Sequence, residues 1–212
     1  FPAGSFWRWD EVNGRWGEDQ AEAVTTEGAS GIGYTVAATG TSLAFTGTVL
    51  TGPVNISATA PYDATHIYQE QRTPWGGGGW NLLGNPYPSA IRGYNNDGIS
   101  DNDFITHNQE SFDPNYRAIY IYNGANYYFI AASTPGYPDL GQFPGSDVQA
   151  GQGFFVLAKY NNVPFEFTPA MRTHNTVAEM MKSAPAPWPG LQLKVKYGET
   201  ETATLVVYKD GM

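Results

Sequence analysis

The sequence predicts an all-β fold, a β-sandwich of jelly-roll type, and three observations predict it. Short runs of alternating apolar and polar residues recur along the chain, most of them bounded by Gly, Pro, Asn or Asp. Gly, Pro and Tyr number 25, 15 and 14 in 212 residues, a mix that suits many strands joined by tight turns, with Tyr supplying half-buried surface. Helical patterning is confined to Thr176 to Lys182, a short stretch that runs into Pro185.

The elements follow in order. Ser5 to Trp9 alternates aromatic residues, then Asn13-Gly14 turns the chain and Trp16 returns it, which is a hairpin signal. Strands are expected at Gly33 to Ala37, Ser42 to Phe45, Val54 to Ala58 and Ile67 to Gln71. A second hairpin runs from Ala118 to Tyr122 through Asn123-Gly124 to Tyr127 to Ala131. Gly153 to Ala158, Pro164 to Phe167, Leu191 to Tyr197 and Ala203 to Tyr208 complete the set.

The two hairpins belong to a longer internal match. Phe6-Trp7-Arg8-Trp9-Asp10 reads like Ile119-Tyr120-Ile121-Tyr122-Asn123, Gly31-Ile-Gly33-Tyr34 like Gly151-Gln-Gly153-Phe154, Leu43-Ala-Phe45 like Phe165-Glu-Phe167, and Gly79-Trp-Asn-Leu82 loosely like Gly190-Leu-Gln-Leu193. The order is the same in both halves, with offsets near 113 to 122 residues. The expectation is a single all-β domain over 1–212 with pseudo-repeats of about 1–90 and 110–212. Each half presents an apolar face that pairing would cover; two fused small sandwiches are the alternative. The abrupt start at Phe1 and end at Met212 read as a piece of a longer polypeptide.

Composition excludes several functions. A net charge of -9 with no basic run opposes binding to a nucleic-acid backbone, which needs clustered Lys and Arg. No apolar run reaches the length of a membrane span, so no membrane insertion is expected. With no Cys there are neither disulfides nor thiolate ligands. No Gly-x-Ser-x-Gly elbow occurs, and His66, His107 and His174 lack metal-ligand spacing. The glycines of Gly28 to Gly33 resemble a nucleotide-binding turn, but their flanks are strand-like and no Tyr precedes a Lys by four positions. Asp10, Glu11, Glu18 and Asp19 are carboxylates beside a solvent-facing hairpin rather than a glycosidase pair. The chain is therefore read as a non-enzyme with no catalytic residues, a polysaccharide-acting enzyme being the least favoured alternative.

Two constellations remain. Asn95-Asn96-Asp97-Gly98-Ile99-Ser100-Asp101-Asn102-Asp103 offers alternating oxygens around a Gly turn, the donor type that Ca²⁺ takes. It resembles the calcium loops of thrombospondin type 3-like repeats, and Asn95, Asp97, Asp101 and Asp103 are the candidate ligands. Phe104 stands where an EF-hand places its bidentate Glu. The competing reading is a polar loop whose final Asp caps a helical turn at Phe104 to His107. The second constellation is aromatic. Flat rings stack on the apolar faces of sugars, and Trp75, Tyr94 and Tyr137, in polar or Gly- and Pro-rich loops, are the candidate ligand-binding residues. Trp7, Trp9 and Trp16 are expected to line one sheet face.

Gly79-Trp-Asn-Leu-Leu-Gly-Asn-Pro-Tyr-Pro-Ser-Ala-Ile91 resembles the hallmark of a domain in secreted and cell-surface proteins of the Bacteroidetes, many of them exported by the type IX secretion system. The similarity extends through Ala118 to Asn123, Val148 to Val156, Phe165 to Phe167 and Met171-Arg172, and back to the Trp7 to Trp16 hairpin and Gly31 to Ala37. It implies an extracellular, accessory or adhesin-like module with neighbouring domains and no catalytic residues to carry over. The Arg92 to Asp101 insertion departs from the pattern, which makes that loop a place for specificity. The hallmark also has a structural reading: two prolines fix the backbone, with a cis bond at Asn85-Pro86 or Tyr87-Pro88 allowed, and a buried Asn side chain satisfies the turn. The function expected is binding of a polysaccharide or cell-surface glycan, with calcium as a cofactor. The alternative is a structural module that self-associates through strand edges.

Overall fold

The computed structural model describes residues 6–12, 14–17, 29–36, 47–61, 78–95, 97–122, 126–132, 141–142, 145–174, 191–197 and 200–206. The first half contains β1 (Phe6–Asp10), β2 (Arg15–Gly17), β3 (Tyr34–Val36), β4 (Val54–Ser57), β5 (Trp80–Gly84) and β6 (Ala90–Arg92). After a helical turn, α1 (Phe104–His107), come β7 (Ile119–Tyr122), β8 (Tyr127–Ile130), β9 (Gly141–Gln142), β10 (Asp147–Val148), β11 (Gly153–Leu157) and β12 (Pro164–Phe167). A 3-10 turn (Pro169–Met171) leads into β13 (Arg172–Thr173), then β14 (Leu191–Tyr197) and β15 (Thr200–Val206). The fold is all-β and sandwich-like, as the alternation predicts. The expected strands at Ser42 to Phe45 and Ile67 to Gln71, and the helix at Thr176 to Lys182, lie outside the described residues.

One layer is a five-stranded sheet of order β5-β11-β7-β8-β9, antiparallel except at the β8–β9 pair. Alternation gives it two different faces. Leu83, Ile119, Ile121, Ile130, Phe154 and Val156 point to the main core. They meet Phe165 and Phe167 of β12, Ile91 of β6, Val148 of β10 and Phe104 of α1. Phe104 is the hub, 5.3 Å between ring centroids from Phe154 and 4.9 Å from Phe167. The covering layer is the β12–β4 pair, the β10-β6-β13 sheet and α1. The opposite face carries Trp80, Tyr120, Phe129 and Phe155, a smaller aromatic cluster.

The first three strands form a sheet of order β2-β1-β3. It joins the larger sheet where Ile32 bridges Leu83 and the Gly33 and Gly84 amides donate across to Leu82 O and Gly31 O. This set repeats the arrangement β8-β7-β11. Trp7 pairs with Thr35 in the first and Tyr120 with Phe155 in the second, positions that the sequence match aligns. Gly31 and Gly151 lead into the third strand of each set with φ of 82° and 72°.

The Asn85 to Ser89 hallmark is a buried brace. Asn85 Nδ2 donates to Ser89 O, Val148 O and Gln149 O at 2.8, 3.3 and 3.0 Å, and its Oδ1 accepts from the Tyr87 amide at 3.0 Å. The Tyr87 hydroxyl lies 2.9 Å from both Gly52 O and Phe167 O. Both X-Pro bonds of the hallmark are trans.

Candidate functional site: an aromatic platform

Turning the β1–β2 hairpin over the larger sheet places Trp9 and Trp16 on Phe155. Trp9 and Trp16 are cross-strand partners, 5.4 Å apart and edge to face, and their centroids lie 5.7 and 6.1 Å from that of Phe155. Tyr127 also meets Phe155 edge to face, 6.1 Å away, and its cross-strand partner Tyr122 lies a further 5.0 Å on. Trp16, Tyr122 and Tyr127 keep 40%, 48% and 38% of their surface exposed, while Trp9 and Phe155 are half-buried. The result is a continuous aromatic strip whose buried edge is anchored and whose outer rings face solvent. Cross-strand aromatic pairs stabilise their own sheets, but that does not require their outer surface to stay open.

Glu11 sets the hairpin's position. Its Oε2 accepts from Trp9 Nε1 at 2.8 Å, and its Oε1 accepts from the Gly79 amide at the head of β5. Burial, and then the neighbouring Tyr122 phenol, push the Tyr127 hydroxyl above its ordinary value, so the Tyr127 phenol is neutral at physiological pH.

The expected sugar-binding residues fall elsewhere. Trp75 and Tyr137 lie outside the described residues. Tyr94 is half-buried against the main core, on the side of the larger sheet away from the strip. Of the tryptophans expected on one sheet face, Trp9 and Trp16 reach the platform. The signal that locates it in sequence is the pairing of aromatic residues across both hairpin turns.

In the 95–103 loop the carboxylates are held by protein donors. Asp97 Oδ1 accepts from the Ile99 amide, and Oδ2 from Asn95 and Asn102 side chains. The Ile99 amide, and then Asn102, hold the Asp97 carboxyl below its usual range. Asp101 Oδ1 lies 3.2 Å from His107 Nδ1, and His107 Nε2 lies 3.3 Å from Glu166 of β12. Asp103 is the N-cap of α1, its Oδ1 accepting from Thr106 N at 2.7 Å. Among the described residues no three His, Asp or Glu side chains gather around a point suited to a metal ion. Two buried acceptors there, Asn102 Oδ1 and Asp103 Oδ2, have no donor. Two side-chain oxygens fall short of the six to eight ligands that Ca²⁺ takes. The loop as folded caps α1 through Asp103.

Among the described residues no helix is long and apolar enough to cross a membrane. A family model described as Domain of unknown function (DUF8693) matches residues 2–187. No curated protein and no solved structure matches the chain.

Proposed function

The chain belongs to the Domain of unknown function (DUF8693) family, and from that footing we propose that it is a non-catalytic accessory module that binds glycan outside the cell. The observation that carries this reading is the Trp16–Phe155–Tyr127–Tyr122 strip, half exposed along its outer rings. Exposed contiguous aromatics on a rigid sheet are what a sugar ring stacks against, and they need no moving parts. The extracellular placement, the cell-surface or secreted setting and the neighbouring domains of a parent chain come from the resemblance to Bacteroidetes surface proteins. The acidic balance supports a partner other than nucleic acid.

Glycan-array binding by the intact chain tests the proposal. Binding reduced at least tenfold by Trp16→Ala supports it. Failure to bind any polysaccharide on the array sinks it.

Calcium enters the proposal as a ligand of the 95–103 loop, held by Asn95, Asp97, Asp101 and Asp103, beside two buried oxygens, Asn102 Oδ1 and Asp103 Oδ2, that lack a donor. A melting temperature lowered by EDTA and restored by added Ca²⁺ supports it. An unchanged melting temperature assigns those oxygens to buried water.

A second reading is assembly. Among the described residues β14 and β15 pair only with each other. A two-stranded hairpin is marginal by itself and gains stability by adding to another sheet. Filaments or particles in electron micrographs, lost on deletion of 191–206, favour this role.

A further inference from the structure

We infer that the aromatic strip holds two consecutive rings of a neutral oligosaccharide, one against the Trp9–Trp16 pair and the other against the Tyr122–Tyr127 pair, with Phe155 between them. The inference rests on the glycan reading and deepens it to a chain ligand whose affinity depends on length.

The repeated arrangement of the two halves is the first argument. Trp9 and Trp16 face each other across the first hairpin as Tyr122 and Tyr127 do across the second. Sequence alignment of the halves places Trp9 on Tyr122 and sets Trp16 beside Tyr127, each following its own hairpin turn. Equivalent pairs from two equivalent hairpins therefore meet at one residue, Phe155, at centroid distances of 5.7, 6.1 and 6.1 Å. Two like surfaces side by side suit two like units side by side.

Ring orientation is the second. Trp16 and Tyr127 are inclined to Phe155 by 72° and 69°, and Tyr122 to Tyr127 by 43°. The 43° tilt between the exposed Tyr122 and Tyr127 rings breaks the level surface that the face of an insoluble, crystalline polysaccharide needs. They fit a single chain whose successive units are rotated.

Chemistry of the strip is the third. Among the described residues the exposed large apolar ones in the strip are all aromatic, while the exposed aliphatic ones are Val12, in the β1–β2 turn, and Val49 and Ile99, in loops. Among the described residues the cation recorded over a ring is Arg172, over Tyr87, away from the strip. The whole chain carries -9, which disfavours acidic sugars and leaves neutral ones.

Calorimetric titration of the full chain with neutral cello-, xylo-, manno- and laminari-oligosaccharides, from monosaccharide to hexasaccharide, tests the inference. For one series, affinity is expected to rise at least tenfold from the monosaccharide to the disaccharide or trisaccharide and then level. Trp16→Ala lowers affinity for every length. Tyr127→Ala removes the gain from the second unit and spares the monosaccharide. Trp16→Leu and Ile99→Ala, with melting temperatures near that of the parent, separate loss of the ring face from loss of folding.

Binding independent of chain length, or equal loss at every length in Tyr127→Ala, overturns the two-ring arrangement and leaves the glycan reading standing. No binding in any series overturns both. Concentration-dependent dimer mass in light scattering, abolished by Trp16→Ala, assigns the strip to a second copy of the chain and overturns the inference.

Discussion

Asn85 shows how much one side chain does in the hallmark. It satisfies three carbonyls and one amide inside the protein, and it holds β5, β6 and β10 at one corner. Asn85→Ala strands those buried groups and is expected to cost about 2–4 kcal/mol in urea unfolding, since each dry polar group costs about 1–3. Asn85→Asp is expected to cost more, because a carboxylate would face carbonyl oxygens. A destabilisation under about 1 kcal/mol for Asn85→Ala would mean that water fills the site. Two other carboxylates pull in opposite directions with pH. Asp97 is held below its ordinary value by the Ile99 amide first, so its contribution is present above about pH 4 and is lost as pH falls through the lowered value. Asp147 is raised, by burial first and against the pull of Arg92. Its contribution is full below the ordinary carboxylate value and is lost as pH rises through the raised one. Asp147→Asn is therefore expected to raise the melting temperature at neutral pH, with the difference closing in acid. The reverse trend would show Arg92 outweighing burial.

At the scale of elements, α1 is four residues long and cannot stand on helix propensity. Asp103 caps its first turn. Asn108, just past its end, bonds both the amide and the carbonyl of Glu166, so it acts as a strand neighbour for β12. Asp103→Ala should lose about 1 kcal/mol of stability, read by thermal melting. Equal stability would show that Asn108 alone positions the turn. The same scale shows what a reader of the sequence can see. Val54–Ser57 and Pro164–Phe167 alternate cleanly and are legible as strands, because one face of each is buried. Trp80–Gly84 is visible as a signature but not as a strand, since both its faces pack and its alternation disappears. Ala90–Arg92, Asp147–Val148 and Arg172–Thr173 are too short to carry a period at all. The platform was half legible: aromatic pairs across each turn are in the sequence, but their meeting at Phe155 depends on how the hairpin lies on the sheet. Tyr94 lies in a loop, as its polar neighbours predict, but packing turns it against the core, which its neighbours do not signal.

For the whole molecule, the shared strand order, the matching register and the paired glycine conformations support a duplication. They also make a test of how far two equivalent backbones have diverged in surroundings. Gly31 and Gly151 each adopt a left-handed conformation that costs an L residue about 1–2 kcal/mol. A methyl group at Gly151 meets nothing within 4 Å, so Gly151→Ala is expected to cost that amount and no more. At Gly31 the same methyl group would lie 2.8 and 2.9 Å from Ile56 and 3.2 Å from Val54, both on β4. Crowding of this kind adds about 1–3 kcal/mol. Gly31→Ala should therefore lose clearly more stability than Gly151→Ala in parallel urea unfolding experiments, with the excess appearing as a lower midpoint at unchanged slope. Ile56→Ala carries its own packing cost, so the comparison is with Ile56→Ala alone: in that background Gly31→Ala should cost less than in the parent, and no less than the backbone cost. Equal losses at the two glycines would mean that β4 yields freely. The first half would then be covered as loosely as the second is at Gly151. Unequal losses would tie the packing of β4 on the Gly31 turn to the joint between the two sheets, and so to the placement of the hairpin that carries Trp9 and Trp16.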